Sequence, residues 1–199
     1  MNESLRIAIA DDEPDMREYF QKSLARLGHK VVAVAADGRE LVAQCRTQAP
    51  DLVITDIKMA DMDGIDAATQ IYRNAAIPVI LVSAYHDPEF VRRAEANHIM
   101  AYLVKPIKQD DLVPAIGIAM HRFEQFQALR KETTDLKQAL EDRKVIEKAK
   151  GVLMKKAGLD EPAAFRRLQK LASDKNRKLI DIAQMILTAE EAFGGGKPD

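Results

Sequence analysis

The chain has 199 residues, 47% of them hydrophobic and 31% charged, with a formal net charge of −1. That composition is ordinary for a water-soluble globular protein, and the length suits one domain of about 120 residues plus a small module. No apolar run approaches the roughly 20 residues of a membrane span. The opening MNESLRIAIADDE lacks the layout of a secretory signal, so a cytoplasmic chain is expected. The single cysteine, Cys45, excludes an internal disulfide and a thiol metal cluster. Its place in the apolar rhythm LVAQC reads as a buried structural thiol.

Through residue 120, short β-branched runs alternate with helical patterns. The spacing predicts strands at LRIAIA (5–10), VVAV (31–34), DLVIT (51–55), IPVILV (77–82) and AYLV (101–104). Helices are expected near 15–27, 38–48, 65–73, 88–96 and from 109 onward, with Pro14 in a first turn and Gly28 as a stop. Such alternation implies a five-stranded parallel sheet, doubly wound, with helices on both faces. Ligands of such sheets bind at the carboxyl ends of the strands.

After residue 104 the texture changes. Helix formers run through 109–157 with one weak break, GIAMH at 117–121. Phe126, Leu129, Thr133, Leu136 and Leu140 alternate in spacings of four and three, a coiled-coil-like seam. GLDEP at 158–162 ends that helix and starts another, with Asp160 as cap and Pro162 in the first turn. Two further helices are expected over 162–174 and 179–193, and GGGKPD is expected to be disordered. The implied division is 1–120, a helical linker over 121–138, a three-helix bundle over 139–193, and a tail over 194–199.

Polar residues occupy strand ends where the core needed only apolar ones: Asp11, Asp12 and Glu13, then Asp56, Ser83 and Lys105-Pro106. Clustered carboxylates repel one another unless a cation joins them, and hard oxygen ligands select Mg²⁺. An adjacent lysine fits a site that receives a phosphoryl group on a carboxylate, because lysine and metal together neutralise the added charge. Taken singly, these residues have plainer readings: Asp11 or Glu13 as a helix cap, Ser83 as a buried hydroxyl, Tyr102 as a rim aromatic. His29, His86, His98 and His121 are scattered, expected to be exposed, and form no further site.

The motifs IADDEP, VITDIKMADMDG, ILVSAY and AYLVKP resemble those of the response-regulator receiver domain over about residues 5–120. The resemblance implies a flavodoxin-like fold and Asp56 as phosphoacceptor from a sensor histidine kinase. It implies Mg²⁺ held by Asp12, Asp56 and the Lys58 backbone carbonyl, with Asp11 acting through water. Lys105 would pair with the phosphoryl group, Ser83 and Tyr102 would form the switch, and the Lys105–Pro106 bond would be cis. Ala60 replaces a proline common in such loops, so a looser loop is expected there. An aspartyl-phosphate hydrolase is excluded, because its acceptor motif belongs on the first strand. The chain is therefore expected not to be an enzyme beyond slow Mg²⁺-dependent loss of its own phosphoryl group.

The segment 143–178 carries 12 basic and 4 acidic residues. That asymmetry suits a polyanion partner or, equally, a solvated helix face. On a helix, Val145, Ile146, Ala149, Val152 and Leu153 share an apolar face, and Lys144, Lys148 and Lys155 share another. Gly151 weakens the helix by about 1 kcal/mol relative to alanine, a weakness that close approach by a neighbouring helix or a ligand backbone would explain. The second helix turns Phe165, Leu168, Leu171 and Ala172 inward and Arg166, Arg167 and Lys170 outward; the third turns Leu179, Ile182, Ala183 and Ile186 inward. Charge alone does not separate DNA from RNA, although the apolar, acidic last helix is a poor DNA-recognition helix.

Residues 139–187, above all R-x-x-I-x-x-A-K-G-x-L-M, resemble the ANTAR domain of transcription antitermination regulators. The resemblance implies binding to paired RNA stem-loops in a nascent leader, which keeps a terminator hairpin from forming and acts indirectly on the RNA polymerase elongation complex. Its matching contact candidates are Arg143, Ala149, Lys150 and Gly151. Charge adds Lys144, Lys148, Lys155, Arg167, Asn176, Arg177 and Lys178. The combined expectation is a response regulator that dimerises on phosphorylation and binds RNA, with no membrane partner. A DNA-binding response regulator and a phosphorelay adaptor acting through protein contacts are the rival classes.

Overall fold

A computed structural model describes residues 4–84 and 99–194. The helix expected over 88–96, with His86 and His98, lies outside the described residues, as do 195–199 of the tail. Among the described residues there are five strands, β1 (Arg6–Ala10), β2 (Lys30–Ala35), β3 (Leu52–Asp56), β4 (Val79–Ser83) and β5 (Ile99–Val104). There are six helices, α1 (Pro14–Arg26), α2 (Gly38–Gln48), α3 (Gly64–Asn74), α4 (Gln109–Ala157), α5 (Glu161–Asp174) and α6 (Leu179–Gly194). The chain forms two compact units, Met1–Gln127 and Ala128–Asp199, with the boundary inside the segment expected as a linker.

All strand pairs of the first unit are parallel, in the order β2-β1-β3-β4-β5. Strand residues alternate between two cores, as a two-fold repeat requires. Ala8, Ala10, Val53 and Leu81 pack with Leu41 and Val42 of α2 and Ile65 and Ile71 of α3. Ile7, Ile9, Ile54, Ile80 and Val82 pack with Phe20 and Leu24 of α1 and Leu112 and Ile116 of α4. A sheet buried on both faces explains the near-continuous apolar strands. Because β1 lies between β2 and β3, the chain reverses direction across the sheet there, and the acidic end of β1 falls at the switch point.

Local sequence sets the helix ends. Asp37 accepts hydrogen bonds from Arg39 N and Glu40 N, and Asp63 from Asp66 N, at the starts of α2 and α3. Gly28, at φ +86°, closes α1 in a Schellman turn, with Gly28 N–H donating to Ala25 O and His29 N–H to Leu24 O. His29 is half-buried rather than exposed as expected, and its Nδ1 accepts from Leu5 N–H at 3.2 Å. Cys45 is buried, and desolvation pushes its thiol up to about 12.

The break expected at 117–121 is absent, and α4 runs for 49 residues. Gly117 is flanked by Ile116 and Ala119, both buried, and their packing offsets its low propensity. Phe126, expected in the seam, packs against the first unit's core and lies edge-on to Tyr72, ring centres 6.3 Å apart. Leu129, Leu136 and Leu140 remain exposed. In the second unit, Ala149, Leu168, Ala172, Ile182 and Ala183 form a small core, with Val145, Ile146, Leu153 and Ile186 packed on it. Asp160 caps α5 by accepting from Ala163 N–H at 2.8 Å.

Candidate functional site

The ends of four strands converge at the carboxyl edge of the sheet. Asp11 follows β1, Asp56 ends β3, Ser83 ends β4, and Lys105 follows β5. Carboxylate oxygens of Asp11, Asp12 and Asp56 lie within 4.8 Å of one another, Asp11 and Asp56 buried and Asp12 exposed. Lys105 Nζ stands 3.0 Å from Asp11 Oδ2, 3.2 Å from Asp56 Oδ2 and 3.3 Å from Glu13 Oε1. The Lys105 N–H donates to the Ser83 carbonyl at 2.8 Å, and the Lys105–Pro106 bond is cis. Tyr102 lies on β5, half-buried against the core shared with α2 and α3. Lys58 follows Asp56 by two residues with its side chain exposed.

Burial raises the Asp56 carboxyl above its ordinary 3.8, against the pull of Lys105 and with a push from Asp11. Burial opposes the charge on Lys105, but its hydrogen bonding and ion pairing with Asp11 and Asp56 prevail and raise it further. Asp11 Oδ2 is buried, and its partner is the Lys105 ammonium at 3.0 Å, a cation contact in place of any neutral donor.

The turn after β3 is tied at both ends. Gly64 N–H donates to Ile57 O at 2.9 Å, and Gly38 N–H to Met62 O at 3.2 Å. The expected looseness after Met59-Ala60 thus concerns a loop with backbone ties on either side. A side chain at Gly64 would overlap the Asp56 carbonyl oxygen, so glycine is required beside the acceptor. Arg17, which no motif in the sequence marks, also reaches this edge: its Nη1 donates to the carbonyls of Asp11 (2.7 Å) and Asp12 (3.0 Å). Glu13 occupies the N-cap position of α1 but makes no side-chain cap, and reaches Lys105 instead.

A response-regulator receiver domain model matches residues 7–117, and an ANTAR domain model matches 134–187. The transcriptional regulatory protein PdtaR of Mycobacterium tuberculosis is 40% identical over 182 residues, covering 92% of this chain and 89% of that protein. This chain belongs to the response regulators. Its receiver is also similar to the positive alginate biosynthesis regulatory protein of Pseudomonas aeruginosa, 32% identical over 56% of this chain and 46% of that one. Among solved structures, the signal receiver domain of a modulated diguanylate cyclase from Desulfovibrio desulfuricans aligns at TM-score 0.58, with 26% identity over 62% of this chain and 98% of that one. The receiver domain of the putative response regulator NarL from M. tuberculosis aligns at 0.55, with 27% identity over 58% of this chain and 94% of that one. A receiver implies a histidine-kinase partner for this regulator, and an ANTAR domain implies RNA binding. Among the described residues, no helix is long and apolar enough to cross a membrane.

The regulator's ANTAR unit corrects several expectations. Ala149 is fully buried in the core, facing α5 and α6, so it offers no surface to RNA as arranged. Lys150 is only 7% exposed. Its Nζ lies 2.9 Å from Glu147 and 2.7 Å from Glu161, and 5.9 Å from the centre of the Phe165 ring. The hydrogen bonds that Lys150 donates to those two carboxylates raise its ammonium further, so this charge is neutralised within the protein. Phe165, expected in the core, is 37% exposed beneath that lysine. Gly151 is exposed, and a Cβ there would meet nothing within 4 Å, so no neighbouring helix accounts for it. Arg143, Lys144, Lys148, Lys155, Arg167, Asn176, Arg177 and Lys178 are all exposed. Asn176, at φ +49°, forms the Schellman turn that ends α5, with Asn176 N–H donating to Ser173 O and Arg177 N–H to Ala172 O.

Proposed function

We propose that this response regulator is a phosphorylation-controlled antiterminator. Asp56 attacks the phosphoryl group of a kinase phosphohistidine: the P–N bond breaks, a P–O bond forms to an Asp56 oxygen, and the imidazole leaves with a proton. Lys105, already beside Asp56, turns its ammonium to the new phosphoryl oxygens, and the Ser83 hydroxyl bonds a second one. The donor set fits Mg²⁺: hard oxygens from three carboxylates gathered within 4.8 Å, with one lysine ammonium between two of them. Asp11 (through water), Asp12, Asp56 and the Lys58 carbonyl would hold the ion, which supplies neutralisation of the phosphoryl charge. Release of Lys105 from its carboxylates, with Ser83 and Tyr102 rearranging, passes the signal on. The protein catalyses nothing beyond loss of its own phosphoryl group, and it works in the cytoplasm.

The ANTAR unit binds paired stem-loops of a nascent leader, so that the overlapping terminator cannot form and polymerase reads through. Exposed Leu129, Leu136 and Leu140 seat a second copy of the chain, and two modules on two hairpins give avidity. The observation that carries this reading is similarity running through both units to one transcriptional regulator, over 92% of the chain. The test is to crosslink the protein to cellular RNA, sequence what is recovered, and transcribe those leaders in vitro. Readthrough is expected to rise with the phosphorylated protein and not with Asp56→Asn. Recovered RNA without terminator-overlapping stem-loops, or equal competition by duplex DNA, would sink the proposal.

A further inference from the structure

Asp11 is held by burial and by the hydrogen bond that its Oδ1 accepts from Glu13 N–H at 2.9 Å. Asp12 is different. Its carboxylate is exposed, and among the described residues nothing bonds to it. The direction of that side chain therefore depends on the backbone path of the β1–α1 turn. Arg17 grips that path, donating to the Asp12 carbonyl at 3.0 Å and the Asp11 carbonyl at 2.7 Å. Its place is unfavourable for the helix itself, because a cation near the first turn of α1 opposes the helix dipole. Local helix stability thus does not account for it.

We propose that Arg17 is a positioning residue of the cation site, holding the turn so that the Asp12 carboxylate faces Asp56 before the ion arrives. The inference rests on the Mg²⁺ reading of the carboxylate cluster. Its charge and its geometry act in opposite directions, which makes the test one of sign. By charge alone, a guanidinium near the ligands repels a divalent cation, and its removal tightens binding. By positioning, its removal frees the turn and weakens binding on the order of tenfold or more, as for other outer partners of metal ligands.

The experiment titrates Mg²⁺ into the full chain by calorimetry, comparing wild type with Arg17→Ala, Arg17→Lys and Asp56→Asn. Amide hydrogen exchange of residues 11–13 is measured in parallel without metal. Weaker Mg²⁺ binding in Arg17→Ala, recovery in Arg17→Lys, and faster exchange at 11–13 in Arg17→Ala are the expected results. Equal or tighter Mg²⁺ binding in Arg17→Ala, or unchanged exchange, overturns the proposal. If wild type and Asp56→Asn take up Mg²⁺ equally poorly, the cation reading itself fails, and the exchange experiment still decides whether Arg17 orders the turn. Melting and circular dichroism without metal confirm folding, with Arg17→Gln substituted if Arg17→Ala does not fold.

Discussion

Lys105 Nζ stands 3.2 Å from Asp56 Oδ2, so the cation that would meet the phosphoryl group is already tied to its acceptor. Two further carboxylates share that ammonium, Asp11 at 3.0 Å and Glu13 at 3.3 Å. One positive charge among three negative ones leaves the cluster short of cation. The resting site is therefore under electrostatic stress.

Burial of the acceptor fixes the sign of a substitution there. The Asp56 carboxyl is raised chiefly by burial, so the folded chain binds more protons than the unfolded chain between the two pKa values. Stability falls as pH rises through that window, and the loss persists at neutral pH. Asp56→Asn is expected to melt at a higher temperature than wild type at pH 7 in metal-free buffer, and to lack the fall in stability as pH rises through that window. A lower melting temperature would contradict this account.

Mg²⁺ should relieve the same stress. Titration is expected to raise the wild-type melting temperature as ligand binding to the native state requires. Asp12→Asn should lose most of that rise, whereas Asp15→Asn, an exposed carboxylate in the first turn of α1 outside the cluster, should keep it. Differential scanning fluorimetry with Mg²⁺ and EDTA arms makes the comparison.

Gly64 is a packing requirement beside the acceptor. A Cβ there meets the backbone of Asp56, which cannot swing aside as a flexible side chain can. Gly64→Ala is expected to destabilise the receiver by about 1–3 kcal/mol, the usual range for overpacking. Urea unfolding measures the loss, and phosphorylation by acetyl phosphate should slow in parallel.

His29 makes the first strand sensitive to acid. Burial lowers its imidazole below the ordinary 6.5, and its Nδ1 accepts the Leu5 N–H. A depressed pKa means that stability is present above the unfolded value and is lost as pH falls through the folded one. His29→Asn should flatten the stability profile below pH 6.5, read by denaturant midpoints across pH.

In the ANTAR unit, exposed and internally paired cations should separate in a salt titration. Arg143→Ala, Lys148→Ala and Arg167→Ala are each expected to weaken RNA binding and reduce the salt slope by about one where a phosphate contact is lost. Lys150→Met should lower the melting temperature yet leave the slope unchanged, because Glu147 and Glu161 already hold that charge. A reduced slope in Lys150→Met would place the lysine on RNA after all.

Much of this was legible in the chain. The runs at 5–10, 51–55 and 77–82 read as buried strands because both sheet faces are covered, which leaves no polar alternation to confuse them. Boundaries at Pro14, Gly28 and Asp160 followed from fixed φ, a left-handed stop and a capping side chain. The break expected at Gly117 failed because propensity is local, whereas Ile116 and Ala119 are packed from outside the helix. Phe165 was misplaced for a related reason: helical spacing put it near the core side, but the ring ended beneath Lys150 and partly in solvent.

By itself the sequence determined the parallel sheet and the acidic edge, because five strands running the same way must put Asp11, Asp56, Ser83 and Lys105 on one rim. It also determined that the second unit is basic. Only the tertiary structure decided which charges are already matched. Lys148 and Lys150 look alike in a helical pattern, yet one is exposed and the other pairs with Glu161, 11 residues away across a turn. Arg17 reads as a surface arginine until the fold brings the carbonyls of Asp11 and Asp12 beneath it. Periodicity specifies the face a side chain leaves from; its partner depends on where the next element packs.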